Sequence, residues 1–422
     1  MRRDTADLDD DALLDLVQRQ TLRYFWDFAH PACGLARERS NVTAKYGLEA
    51  VSTGGSGFGV MAIIVGVSRG WIGRAEAVER LWTMVRFLTK CDSYHGVWPH
   101  FLNGETGRTI PFSRKDDGAD LVETSFLVAG LLCARQFFDR EDEAETRLRA
   151  AINWLWEEVE WSWHTRGGRN VLYWHWSPNN GWSMNHEIRG WNECLITYVL
   201  AAAAPRYPIS PEAYHRGWAE GRDFINGRSY DGITLPLGPD GGGPLFLAQY
   251  SFLGIDPRGL SDRYADYWQQ NVAHTLINRG HCARNPKACR GYGPECWGLT
   301  ASDGPEGYDA HSPTNDRGVI TPSAALASFP YAPEHAMRVL RHFYHDLGDR
   351  IWSEYGFVDA FSETADWYAG SHLAIDQGPI IVMIENARTG LLWNLLMSCP
   401  EIRFGLRRLG FESPHLADGL TS

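Results

Sequence analysis

The chain has no basic block. Its 40 Lys and Arg residues are dispersed among 52 Asp and Glu, giving a formal charge of −12 over 422 residues. A phosphate backbone needs a concentrated positive surface, so nucleic acid is not an expected partner and a neutral ligand suits the balance. No run reaches the roughly 18 to 20 consecutive apolar residues that span a bilayer, and the N-terminal MRRDTADLDDDALLDLV lacks the apolar centre of a secretory leader. No membrane partner is expected; the sequence as it stands reads as cytoplasmic, or as periplasmic if a leader has been removed. Nothing in it specifies an oligomeric state.

Cysteine chemistry is equally thin. None of the eight Cys residues forms a CxxC pair; Cys133 and Cys194 lie in apolar runs, and Cys282, Cys289 and Cys296 share one stretch with six residues between neighbours. That spacing does not suit a zinc site and leaves plain thiols or a disulfide open. No HExxH occurs and no Lys-bearing phosphate loop follows a strand. GGSGFG around Ser56 matches the nucleophile pattern GxSxG by letter only, without the preceding buried strand. No metal or cofactor is expected.

Aromatic residues are abundant instead, with 18 Trp, 17 Tyr and 18 Phe, and hydrophobic residues make up 44% of the chain. Periodicity predicts twelve helices of alternating character. The odd-numbered ones are amphipathic, from LLDLVQRQTLRYFWDF through RAEAVERLWTMVRFLTK, EAETRLRAAINWLWEEVE, PEAYHRGWAEGRDFIN and DRYADYWQQNVAHTLIN to PEHAMRVLRHFYHDLG. The even-numbered ones are apolar nearly all round or built of small residues: GGSGFGVMAIIVGVS, DLVETSFLVAGLLCARQFF, EIRGWNECLITYVLAAAA, GGPLFLAQYSFLG, TPSAALASF and QGPIIVMIENARTGLLWNLLM. A helix apolar on every side must be surrounded. Six such helices inside six wet ones make an all-α (α/α)6 toroid. Connections from buried to wet helices are short, whereas those from wet to buried run to roughly 16–42 residues, long by ordinary loop lengths. The long loops, some with short β-hairpins, therefore gather on one face, the usual place for a site. No Pro- or Ser-rich linker interrupts the pattern, so one domain is expected over residues 1–422, with its core at about 9–398.

Carboxylates mark that face. In PFSRKDDGADLVETSFLVAG, Asp116 and Asp117 precede the fourth helix, Asp120 lies in its first turn and Glu123 follows at i+3. Caps and dipole partners explain acidic residues at a helix start, but not Glu123 among Leu121, Val122, Phe126 and Leu127. An unpaired buried carboxylate is costly, so the pair Asp120 and Glu123 reads as functional. Glu193 in IRGWNECLITYVL is a candidate general acid, because burial raises a carboxyl pKa; pairing with Arg189 is the competing structural reading. Asp376 stands at the mouth of the twelfth helix, and Glu385, deeper in it, reads as structural with Arg388 as partner. Facing carboxylates with aromatics between them describe glycoside hydrolysis. Trp174, Trp176 and Trp182, expected in a short hairpin, and Tyr292, Trp297 and Tyr308 in the longest loop supply flat faces for pyranose rings.

Four long runs, CWGLTASDGPEGYDAHSPTNDRGVITPSAALASFPYAPE, DDGADLVETSFLVAGLL, EIRGWNECLITYVLAA and DQGPIIVMIENARTGLLW, resemble the glycoamylase-like domain of glycoside hydrolase family 144 and its clan relatives. These include bacterial endo-β-1,2-glucanases and the cyclisation domain of cyclic β-1,2-glucan synthases. The resemblance extends from about Leu14 to Trp393. It implies an (α/α)6 barrel and an inverting hydrolase of neutral β-1,2-glucan, without metal or cofactor and acting within the chain. An exo-acting sophorose-releasing enzyme, a transglycosylase or an inactive glucan-binding protein are the alternatives. Carried over by motif, the family's acidic triplet falls on Asp116, Asp120 and Glu123, and its essential Glu on Glu193. Glu193 would be the general acid and the Asp120 and Glu123 cluster the group that deprotonates water, with Asp376 as a rival base. Trp191, Asn192, Arg189, Trp297, Thr300, Asp303, Tyr308 and Trp182 would line the substrate cleft.

Overall fold

The structure is a computed structural model describing residues 8–417; the ends of the expected domain, residues 1–7 and 418–422, lie outside the described residues. It is an (α/α)6 double ring. The outer ring comprises α1 (Asp10–Trp26), α3 (Arg74–Leu88), α5 (Glu143–Glu158), a π-helical turn Ala213–Trp218, α7 (Tyr267–Arg284) and α9 (Pro333–Arg341). Inside it stand α2 (Thr53–Ser68), α4 (Leu121–Phe137), α6 (Leu195–Ala203), two 3-10 turns at Leu245–Ala248 and Tyr250–Leu253, α8 (Pro322–Leu326) and α11 (Ala374–Thr389). The short α10 (Gly348–Ile351), α12 (Leu391–Ser398) and α13 (Pro400–Arg408) complete the helices, α13 packing on α6. Among the described residues no helix is long and apolar enough to cross a membrane.

Burial follows the predicted alternation. Every residue of α2 from Thr53 to Gly66, and of α4 from Leu121 to Arg135, is buried. On α3 only one stripe is buried, Ala77, Val78, Leu81, Met84, Val85 and Leu88. Around the ring α2 packs on α4, α4 on α6, and α11 on both α8 and α2. Gln249, between the two 3-10 turns, links them to α8 by donating to Ala324 O at 2.9 Å and Ser328 Oγ at 3.1 Å.

The closest approach in the ring is between α2 and α4. A Cβ on Gly57 would lie 2.2 Å from Phe126 O, and one on Gly130 2.2 Å from Gly57 O. GGSGFG is thus a packing device: glycines let two backbones touch where any side chain would hold them apart.

The ninth predicted helix starts later and runs on to Arg284, the tenth is only Pro322–Leu326, and four others are broken or cut short. The sixth begins only at Leu195, because Trp191–Cys194 forms a turn in which Asn192 Oδ1 accepts from Cys194 N–H and from Trp218 Nε1–H, both at 3.0 Å. The seventh shrinks to Ala213–Trp218, since a neighbouring loop presses in: a Cβ on Gly217 would lie 2.5 Å from Asn170 O, and one on Gly221 2.1 Å from Gly190 N. The eighth is two 3-10 turns, Leu245–Ala248 and Tyr250–Leu253, separated at Gln249. The twelfth divides at Gly390, where φ is +71°. All eight cysteines are free thiols, with Cys282, Cys289 and Cys296 buried.

Gly130→Ala is expected to lower unfolding free energy by about 1–3 kcal/mol through overpacking, whereas Gly293→Ala, with nothing within 4 Å of its Cβ position, should stay within about 0.5 kcal/mol of the parent. Urea denaturation of the two variants checks this; equal stability would show that the α2–α4 contact is not tight.

Candidate functional site

Asp120 caps α4, its Oδ1 accepting from the backbone N–H of Val122 at 3.1 Å and of Glu123 at 3.0 Å. A two-residue antiparallel pairing, Ala119 with Trp176 and Asp120 with His175, fixes the α4 entrance to the 175–176 strand. Trp174 Nε1–H donates to the same Oδ1 at 2.9 Å, and His100 Nδ1 lies 2.9 Å from Oδ2. Burial alone would raise the Asp120 pKa. The His100 hydrogen bond and charge, with His175 and the Glu123 amide, hold it below the ordinary carboxylate value.

Glu123, one turn on, points at the start of α2. Its Oε2 accepts from Gly54 N–H at 2.8 Å, and its Oε1 lies 3.9 Å from His100 Nε2. Burial raises its pKa, the His100 charge opposes that, and Asp120 adds to it, so the net shift is upward. Asp116 is raised as well, by burial and then by the charge of Asp120, and its Oδ2 stands 3.3 Å from His175 Nε2. Burial pushes His175 down to about 4, making it a neutral imidazole at ordinary pH. His100 goes the other way: burial lowers it, but Glu123, Asp120 and Asp116 carry it to about 9. Asp117 is held apart from this group by Ser177 and by Asn179 Nδ2 at 2.7 Å.

Glu193 follows on the next inner segment, in the turn before α6. The competing reading, a pairing with Arg189, is not what the structure shows: that guanidinium binds Glu187 and donates to Gly217 O at 3.0 Å, and without a helical turn between them the two side chains do not meet. Burial, with smaller contributions from Glu123 and Asp120, pushes Glu193 up to about 7.

Across the ring from Glu193, Asp376 occupies the first turn of α11 and is 1% exposed. Its Oδ1 accepts from Ser323 Oγ at 3.2 Å. Oδ2 of Asp376 and Oδ1 of Asp359 are buried without a hydrogen-bond partner, and each carboxyl acts on the other's pKa. Both are raised by burial, Asp359 further by the charges of Asp376 and Asp303. Asp359 Oδ2 also accepts from Asp303 N–H at 2.7 Å. The Asp303 carboxylate receives Arg39 Nη1 at 3.1 Å and Ser371 Oγ at 2.6 Å. Glu385 is structural, as expected, but its partner is Arg69 at 2.9 Å, because Arg388 turns to Asp11 and Asp15 on α1.

The other sequence-selected residues divide. Tyr308 is 54% exposed, and the charges of Asp376, Asp359, Asp303 and Glu123 act on its hydroxyl. Trp182 packs edge-on against His164 at 5.6 Å and Tyr173 at 5.7 Å. Trp191 is buried against Trp218, Phe252 and Tyr267, and Trp297 is fully buried in the core beside α8. Thr300 is buried too, accepting from Phe246 N–H at 3.0 Å. Trp191, Asn192, Arg189, Trp297 and Thr300 are thus engaged in building the walls. Sequence reasoning missed His100, His175, Asp359 and Arg39. The three residues WPH ending at His100 carry an aromatic-histidine signal, but nothing local says that the ring meets α4.

Ligand atoms of His100, Asp116 and Asp120 lie within 4.8 Å of one another, as do those of His30, Glu49 and Glu105. In the first group the imidazolium already supplies the positive charge a cation would bring. In the second, His30 Nδ1 accepts from Ala32 N–H, so Nε2 carries the proton and donates to Glu49 at 2.7 Å. Both sets are closed by their own hydrogen bonds rather than left as open ligand shells.

The Asp359 and Asp376 pair makes stability depend on pH. An unfolded Asp titrates near 3.9, so the folded state with its raised values binds the extra proton, and stability falls as pH rises toward the folded values. Asp359→Asn should make the fall in Tm between pH 5 and 8 shallower; an unchanged slope would argue against raised values for the pair.

Comparison with known proteins agrees with this architecture. The glycoamylase family model matches residues 185–400. An endo-β-1,2-glucanase from Chitinophaga pinensis, crystallised with sophorotriose and glucose, is 54% identical with a TM-score of 0.94, covering 97% of this chain and 100% of that one. An exo β-1,2-glucooligosaccharide sophorohydrolase from Parabacteroides distasonis is 45% identical over 96% of this chain, which spans 58% of that relative's length. A Talaromyces funiculosus endo-β-1,2-glucanase, 10% identical with a TM-score of 0.67 over 92% of this chain and 88% of that one, shares the fold. With its carboxylate-lined double ring and these relatives, the chain belongs to the glycoamylase-like family.

Proposed function

We propose that the chain is a glycoside hydrolase that cleaves β-1,2-glucan, with inversion and within the polymer. The observation that carries this is the division of labour among the carboxyls: Glu193, with its pKa near 7, retains a proton to donate, while Asp120 beside it is held ionised. A general acid must keep its proton at working pH, and a base must not. Glu193 protonates the leaving glycosidic oxygen. Water is held by the Asp116, Asp120 and Glu123 cluster and loses its proton to Glu123, since the lone pairs of Asp120 are committed to four donors. Attack from the opposite face inverts the anomeric centre. The exposed Tyr308 offers its ring to a glucose unit. Support for the linkage comes from the names of the Chitinophaga and Parabacteroides relatives. The endo mode follows the more similar of the two, and the other makes sophorose release from a chain end the second reading.

A second assignment of the base rests on Asp376, which faces Glu193 across the ring with a raised pKa. Azide can replace an activated water, so it should restore turnover to Glu123→Gln under the first assignment and to Asp376→Asn under the second.

Incubation with linear β-1,2-glucan should release short sophoro-oligosaccharides of mixed length, and polarimetry of fresh product should show the α anomer. Sophorose alone would establish the exo mode; cleavage of α-1,4-glucan instead would overturn the linkage. Glu193→Gln should lower kcat by about 10²–10⁴-fold with substrate binding retained. Survival of kcat would remove Glu193 from the acid role.

A further inference from the structure

We propose that His100 is a positioning residue whose imidazolium keeps the water-activating carboxylates ionised and aimed, an inference that rests on Asp120 and Glu123 being the base cluster. The ring is clamped: Phe112 lies over it at 4.5 Å with 32° between planes, and Phe101 meets it edge-on at 4.5 Å. The backbone is tied as well, His100 O accepting from Thr53 N–H at 3.1 Å, at the start of α2. Held this way, the ring turns both nitrogens to α4, Nδ1 to Asp120 Oδ2 at 2.9 Å and Nε2 toward Glu123 Oε1 at 3.9 Å. A neutral imidazole has one N–H and one lone pair, and its lone pair would face a carboxylate oxygen. With both carboxyls ionised, the doubly protonated ring is the form that suits them.

The surroundings favour that charge. Asp116, Asp120 and Glu123 face His100 from the α4 side, and Glu38 adds a fourth carboxyl from the segment after α1. His175 is the other titratable base facing it, and that ring is neutral. The result is a fixed cation facing the three acids of α4 and its entrance, while Arg39 holds Glu38 at 2.9 Å. His100 makes no bond to the reacting atoms; it acts through Asp120 and Glu123, as a counter-charge that lets a desolvated Glu123 give up its proton.

His100→Gln keeps a donor for Asp120 and removes the charge. Glu123 then holds its proton to higher pH, so the acid limb of the kcat/KM profile should move up by about one pH unit or more, while the basic limb, set by Glu193, stays in place. A merely structural histidine would lower the whole profile without moving either limb. Histidine NMR of the wild-type protein gives an independent reading: the His100 nitrogens should remain those of an imidazolium at pH 8, and Glu123→Gln should lower that titration midpoint. A neutral His100 ring at pH 7, or an unmoved acid limb in an active His100→Gln enzyme, overturns the inference. Wild-type protein that cuts no β-1,2-glucan would instead overturn the proposed function, with the imidazolium titration still deciding the charge of His100.

Discussion

The contact on which this molecule depends is the meeting of two helix backbones, α2 and α4, through glycine. Gly57 and Gly130 bring the helices together, and three residues before Gly57 the amide of Gly54 reaches the Glu123 carboxylate at 2.8 Å. A Cβ on Gly54 would lie 2.6 Å from Glu123 Oε2. The stripe that packs the ring therefore also delivers a hydrogen-bond donor to a buried acid. Gly55 and Gly378 do the same work on the other flank, where Cβ atoms would meet Ala374 Cβ at 2.6 Å and Phe58 Cβ at 2.4 Å. Because α2 touches both neighbours this closely, the entrances of α4 and α11, which carry Asp120, Glu123 and Asp376, are held in fixed relation.

Burying so many carboxyls in one ring is expensive, and the structure meets the cost in three ways. Asp120 is surrounded by donors, two from its own helix and two from Trp174 and His100. Asp303 and Glu385 are each given a guanidinium, from Arg39 and Arg69. Glu193, Asp359 and Asp376 avoid the charge by holding protons. Donors gather where α4 begins, and buried carboxyl oxygens without partners where α11 begins.

The double ring was legible because its main inner helices are apolar on every side, a pattern with one structural outcome. The same apolar character misled at Gly242–Gly254, where Gln249 turns its amide to α8 and breaks the helix into two 3-10 turns. At Glu193 a helix over residues 187–194 would have put Arg189 one turn away, whereas the segment is a turn and Arg189 binds Glu187. Asp120 and Glu123 could be found from local spacing, because a cap and its i+3 neighbour belong to one helix. His100 and Asp359 could not: each meets its partners through contacts that only the closed ring creates, 20 and 17 residues from Asp120 and Asp376 respectively. Trp191 and Trp297 illustrate the opposite error, aromatic side chains in conspicuous motifs that are used as wall material.

The formal charge of −12 counts every carboxyl as ionised. Upward shifts at Asp116, Glu193, Asp359 and Asp376 mean that the protein carries fewer negative charges near neutrality than that sum. The interior is thus electrically quieter than the surface that encloses it. An uncharged saccharide entering such a space meets hydroxyl-matching dipoles rather than a strong field, and its uptake should vary little with ionic strength.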